Sequence, residues 1–92
     1  MSEAGTRKTI LVIDDEEMIR EIAHDMLTHL GYNIITAGDG EEAVEVFKKQ
    51  HQTIDLVLVD LIMPKMNGII CFQRMKEINQ EVPIVVASGI VE

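Results

Sequence analysis

Apolar residues follow two different rhythms along this chain. Thr9 to Ile13 (TILVI) is an unbroken apolar, β-branched run that stops at Asp14 and Asp15, the pattern of a strand buried on both faces. Directly afterwards Ile19, Ile22, Ala23, Met26, Leu27 and Leu30 recur at steps of three and four. That spacing predicts a helix with one apolar face, and Gly31 is its stop signal. A short run, Asn33 to Ala37 (NIITA), leads through Gly38-Asp39-Gly40 into Glu41 to Lys49, with Ala43, Val46 and Phe47 on one side. Asp39 followed three residues later by Glu42 predicts a capping box for this second helix.

The same alternation then repeats. Ile54 to Val59 (IDLVLV) reads as a third strand with Asp60 just beyond its end, and Leu61 to Asn67 reads as a loop containing Pro64. Gly68 to Ile78 is a mostly apolar helix, and Pro83 to Ala87 (PIVVA) is a fourth buried strand closed by Ser88-Gly89. Strands alternating with helices in this way predict an α/β fold: a doubly wound parallel sheet with helices on both faces. Met1 to Lys8 has no period and is expected to be a disordered start.

Composition narrows the function classes. Ninety-two residues at 47% hydrophobic make one small domain. With 16 Asp and Glu against 8 Lys and Arg, the net charge of -8 opposes nucleic-acid binding by this segment. No apolar run approaches the roughly 18 residues of a membrane span. The single Cys71 cannot close an internal disulfide, and no leader-like segment opens the chain, so a cytoplasmic location is expected.

The candidate chemistry is carboxylate chemistry. Ligand sites of open parallel sheets lie beyond the carboxyl ends of the strands, where strand order reverses, and Asp14, Asp15, Asp60 and Ser88 all fall at such ends. If strand one sits beside strand three, three acids converge. Like charges about 4 Å apart then repel by roughly 4 kcal/mol at an effective dielectric near 20. An oxygen-only cluster in a solvated cleft suits a hard cation, Mg²⁺ with Mn²⁺ as a substitute. His24 and His29 stand five residues apart on the first helix, and His51 and Cys71 lie on other elements, so no zinc-type spacing exists. A carboxylate held against Mg²⁺ can attack a phosphoryl donor to give an aspartyl phosphate, with a hydrogen bond from Ser88 to the transferred group.

Ile10 to Glu17 (ILVIDDEE), Gly31 to Glu42 (GYNIITAGDGEE) and Asp55 to Gly68 (DLVLVDLIMPKMNG) resemble the receiver family of two-component response regulators, across nearly the whole chain. The most specific piece is Asp60 followed by Met63-Pro64, Met66 and Gly68. The resemblance implies the flavodoxin-like receiver fold and a signalling function in which a sensor histidine kinase or phosphotransfer protein phosphorylates Asp60 with Mg²⁺. It further implies that Asp15 binds the metal directly and Asp14 through water. The backbone carbonyl of Ile62 would be the third protein ligand, Ser88 the hydroxyl partner of the phosphoryl group, and Gly89 the backbone N–H donor beside it. Such a domain assists its own phosphorylation and dephosphorylation and switches conformation toward an output partner that the sequence does not name.

The family pattern also includes a further helix, a fifth strand with an essential lysine and a last helix, roughly 30 residues at average element lengths. The expectation is therefore a receiver domain over residues 9–92, incomplete at its C-terminus, with the strand-four edge open to self-association. Lys65 does not match the position of the family's lysine. Two other readings remain open at this point. One is an interaction module independent of phosphorylation. The other is a Mg²⁺-dependent aspartyl-phosphate phosphohydrolase, whose Asp-x-Asp-x-Thr signature is absent from Asp14-Asp15-Glu16 and from Asp60-Leu61-Ile62.

Overall fold

A computed structural model describes residues 7–60 and 68–87. Four parallel strands, β1 (Thr9–Ile13), β2 (Asn33–Ala37), β3 (Leu56–Asp60) and β4 (Ile84–Ala87), form one sheet in the order β2-β1-β3-β4. Helices α1 (Glu17–His29), α2 (Gly40–Gln50) and α3 (Gly68–Ile78) alternate with them. The chain runs outward from β1 to β2, then crosses back to β3 and β4, so strand order reverses between β1 and β3. That reversal opens the crevice in which such sheets hold ligands.

The centre of the sheet is its most apolar strand. Ile10, Leu11, Val12 and Ile13 are all buried, as a strand covered on both faces requires. Leu11, Ile13, Val57 and Val59 share one face and pack with Ala43, Val44 and Phe47 of α2 and Cys71 and Met75 of α3 in a single core cluster. Phe47 is fully buried, and burying such a side chain contributes about 1.5–3 kcal/mol.

Local signals set the helix ends. Helix α1 stops in a Schellman motif: Gly31 takes φ +104°, its N–H donates to Thr28 O at 3.0 Å, and Tyr32 N–H donates to Leu27 O at 3.1 Å. Only glycine adopts that φ cheaply. Helix α2 starts with Asp39, whose Oδ1 accepts from Glu42 N–H at 2.8 Å. On the return side, Glu42 Oε1 accepts from Gly38 N–H at 2.9 Å, one residue before the cap.

The apolar face of α1 is a larger departure. Ala23 and Leu27 are half-buried, but Ile19, Ile22, Met26 and Leu30 are 46%, 50%, 60% and 67% exposed, and no residue of α1 is buried. The helix packs on β1 and β2, so only one edge of its stripe meets the sheet. Three strand limits also move. Ile54 is buried but precedes β3, and Asp60 is the last residue of that strand instead of lying beyond it. Pro83 stays outside β4 while its carbonyl accepts from Val57 N–H at 3.0 Å.

Candidate functional site

Register brings the acids together. Ile13 pairs with Val59 across β1 and β3, so the next residue of each strand is an aspartate, Asp14 facing Asp60. Asp15 follows in the turn into α1. Asp14, Asp15 and Asp60 each offer a carboxylate oxygen, and these oxygens lie within 4.8 Å of one another. Asp14 and Asp60 are half-buried and Asp15 is exposed. They are the one such cluster of potential metal ligands among the described residues.

Hydrogen bonds fix the turn that carries two of them. Asp14 N–H donates to Ala37 O at 3.2 Å, tying the end of β1 to the end of β2. Asp14 Oδ1 accepts from Glu16 N–H at 2.9 Å, an Asx turn that closes the entry to α1. The guanidinium of Arg20 donates from Nη1 to the Asp14 carbonyl at 2.7 Å. Sequence reading missed Arg20. The available signal was a lone cation in the first half of a helix otherwise carrying Glu17, Glu21 and Asp25, beside a site rich in negative charge.

The electrostatics are those of crowded acids. The Asp14 carboxyl is pushed above its ordinary 3.8, first by burial and then by the charges of Asp60 and Asp15, against the opposing Glu16 N–H and Arg20. Two unit charges 4 Å apart repel by about 1 kcal/mol in water and about 4 kcal/mol at an effective dielectric of 20. A small divalent cation relieves that repulsion, and oxygen-only donors facing solvent on one side suit Mg²⁺, which keeps several of its waters. The residues present therefore fit the ion.

Other acids and nucleophiles are occupied elsewhere. Asp55 Oδ2 accepts from Thr9 N–H at 2.8 Å, fastening β1 to β3 at the end of the strands away from the cluster. Cys71 is fully buried and burial pushes its thiol up to about 11, so it is a packed side chain, as its sequence setting suggests. His24 lies on α1 with its side chain half exposed, next to Asp25. Ile62, Ser88 and Gly89, named by resemblance as further site residues, lie outside the described residues, as does Lys65.

Comparison with known proteins follows the same lines. The model of the response regulator receiver domain matches residues 10–92. The autoinducer 1 sensor kinase/phosphatase LuxN of Vibrio campbellii is 47% identical over 81 residues, covering 88% of this chain and 9% of that protein. Response regulator RR06 of Streptococcus pneumoniae is 47% identical over 83 residues, 88% of this chain and 36% of that protein. The CheX-CheY-BeF3-Mg complex from Borrelia burgdorferi superposes with a TM-score of 0.86 at 35% identity, over 92% of this chain and 64% of that one. The chain thus spans a minor part of these two curated relatives. No helix among the described residues is long and apolar enough to cross a membrane.

Proposed function

Because the chain belongs to the response regulator receiver family, we propose that it is phosphorylated on Asp60 by a sensor histidine kinase or a phosphotransfer protein. The observation that carries this reading is the convergence of Asp14, Asp15 and Asp60 within 4.8 Å at the strand-order reversal. A carboxylate oxygen of Asp60 attacks phosphorus, the bond from phosphorus to the donor's imidazole nitrogen breaks, and the imidazole leaves with the electron pair and takes a proton. Asp15 and Asp60 would hold Mg²⁺ or Mn²⁺ directly and Asp14 through water. When bound, the ion neutralises charge on the transferring oxygens.

Ser88, by its hydroxyl, and Gly89, by its N–H, would donate to the phosphoryl oxygens, and the Ile62 carbonyl would be a further protein ligand to the ion. The domain takes part in its own phosphorylation and dephosphorylation, and phosphorylation shifts it toward a second conformation that an output partner reads. A cytoplasmic location suits a donor of this kind. A second copy of the chain is a further partner, met at the exposed edge of β4.

Acetyl phosphate with Mg²⁺ tests the reading without a kinase. The parent chain gains one phosphoryl group, labile to alkali and hydroxylamine, by mass spectrometry, and Asp60→Asn gains none. Labelling that survives Asp60→Asn unchanged, or that appears on His24, removes the assignment. Failure to bind beryllofluoride or take up phosphate at all favours an interaction module independent of phosphorylation.

A further inference from the structure

Arg20 reaches from α1 across the end of the sheet. Its Nη1 donates to the Asp14 carbonyl at 2.7 Å in a partly buried setting, a charge-assisted bond of the stronger kind. On the way the guanidinium lies against Gly38. A Cβ placed on Gly38 would meet Arg20 Nη1 at 3.1 Å, Cζ at 3.4 Å and Nη2 at 3.6 Å, so the whole fork rests where a side chain would otherwise stand. Gly38 does not need to be glycine for its backbone, because Gly31 is the one glycine with positive φ among the described residues. A Cβ there would oblige the guanidinium to give way by a few tenths of an ångström.

We propose that Arg20 is a positioning residue for the acidic site, braced over Gly38, which holds the Asp14-Asp15 turn at the spacing from Asp60 that a divalent cation needs. The inference rests on reading the three acids as a Mg²⁺ site. The Asp14 carbonyl belongs to the peptide group that joins Asp14 to Asp15, so a fixed carbonyl fixes the plane from which Asp15 departs. Asp14 is then held at three points: its N–H on Ala37, its carboxylate on Glu16 and its carbonyl on Arg20. Because Arg20 grips a main-chain carbonyl, this bond consumes no carboxylate oxygen of the site. Its positive charge also acts against the burial and mutual repulsion that together push the Asp14 carboxyl upward.

Mn²⁺ binding to the full chain, followed by electron paramagnetic resonance, with Mg²⁺ calorimetry alongside, tests this in Arg20→Ala, Arg20→Lys and Gly38→Ala. Arg20→Ala should weaken binding about 10-fold, the lower end of the loss seen when groups supporting metal ligands are removed. Arg20→Lys, which keeps a cation and a donor, should recover part of that loss. Gly38→Ala should weaken binding in the parent, by displacing the guanidinium, and change nothing once Arg20 is alanine. If Arg20→Ala fails to fold by circular dichroism, Gly38→Ala and Arg20→Lys decide, both expected to bind more weakly with an unchanged metal-free melting temperature. Unchanged affinity in these variants, or equal damage by Gly38→Ala in both backgrounds, overturns the inference alone. A parent chain that binds neither ion removes the metal reading and this inference together.

Discussion

At Asp14 the fold holds a carboxyl whose pKa is raised, and the sign of that shift determines how stability depends on pH. A carboxyl raised above its ordinary 3.8 binds its proton more tightly in the folded chain than in the unfolded one. Ionised Asp14 therefore costs stability at neutral pH, and the cost is relieved as pH falls through the raised value toward 3.8. Metal-free Asp14→Asn, which keeps the oxygen that accepts from Glu16, should melt above the parent at pH 7. The two melting temperatures should converge as the pH is lowered into that window, and calorimetry across a pH series checks both. A constant difference at every pH removes Asp14 as the source. Asp14, Asp15 and Asp60 were legible in the sequence because an apolar run shows where a strand must stop. Arg20 was not legible, since its role depends on a missing Cβ at Gly38, 18 residues away, and no local pattern encodes a contact between elements. What was legible of the three acids is their convergence; their roles, like those of Ile62, Ser88 and Gly89, belong to the proposed function.

At the scale of the element, signals that act within a few residues read cleanly. The bounds of β1, β2 and α3 coincide with the expected ones, and Gly31 is the stop of α1 as expected, which it makes by a left-handed turn. Burial of the α1 stripe was not legible, because periodicity shows that a helix has an apolar side and not what that side meets. The fourth strand was expected to be buried, yet Val85 and Val86 are 48% and 37% exposed. Among the described residues β4 pairs with β3 alone, which leaves a row of main-chain donors and acceptors for another strand. The 92-residue chain should therefore sediment with a coefficient that rises with concentration. Val85→Lys, which sets a charge on the exposed edge, should return it toward a monomer. Concentration-independent sedimentation of the parent as a monomer contradicts the open edge as a pairing site.

Among the described residues, packing about the sheet is uneven. One face carries the tight cluster of Phe47, Leu11, Ile13, Val57, Val59, Cys71 and Met75. The other is covered by α1, none of whose 13 residues is buried. The parallel sheet was legible from the alternation of elements, whereas this imbalance follows from how the layers are assembled. It carries a consequence for amide hydrogen exchange. Amides of β1 and β3 should exchange only through global unfolding, while those of α1 exchange through a smaller, cheaper opening. That opening would also release the guanidinium from the Asp14 carbonyl, so cation occupancy and helix order are linked, and linkage works in both directions. Mg²⁺ should slow deuterium uptake across residues 17–29 more than across residues 40–50. Equal slowing in the two helices would mean that the ion tightens the molecule without acting through α1.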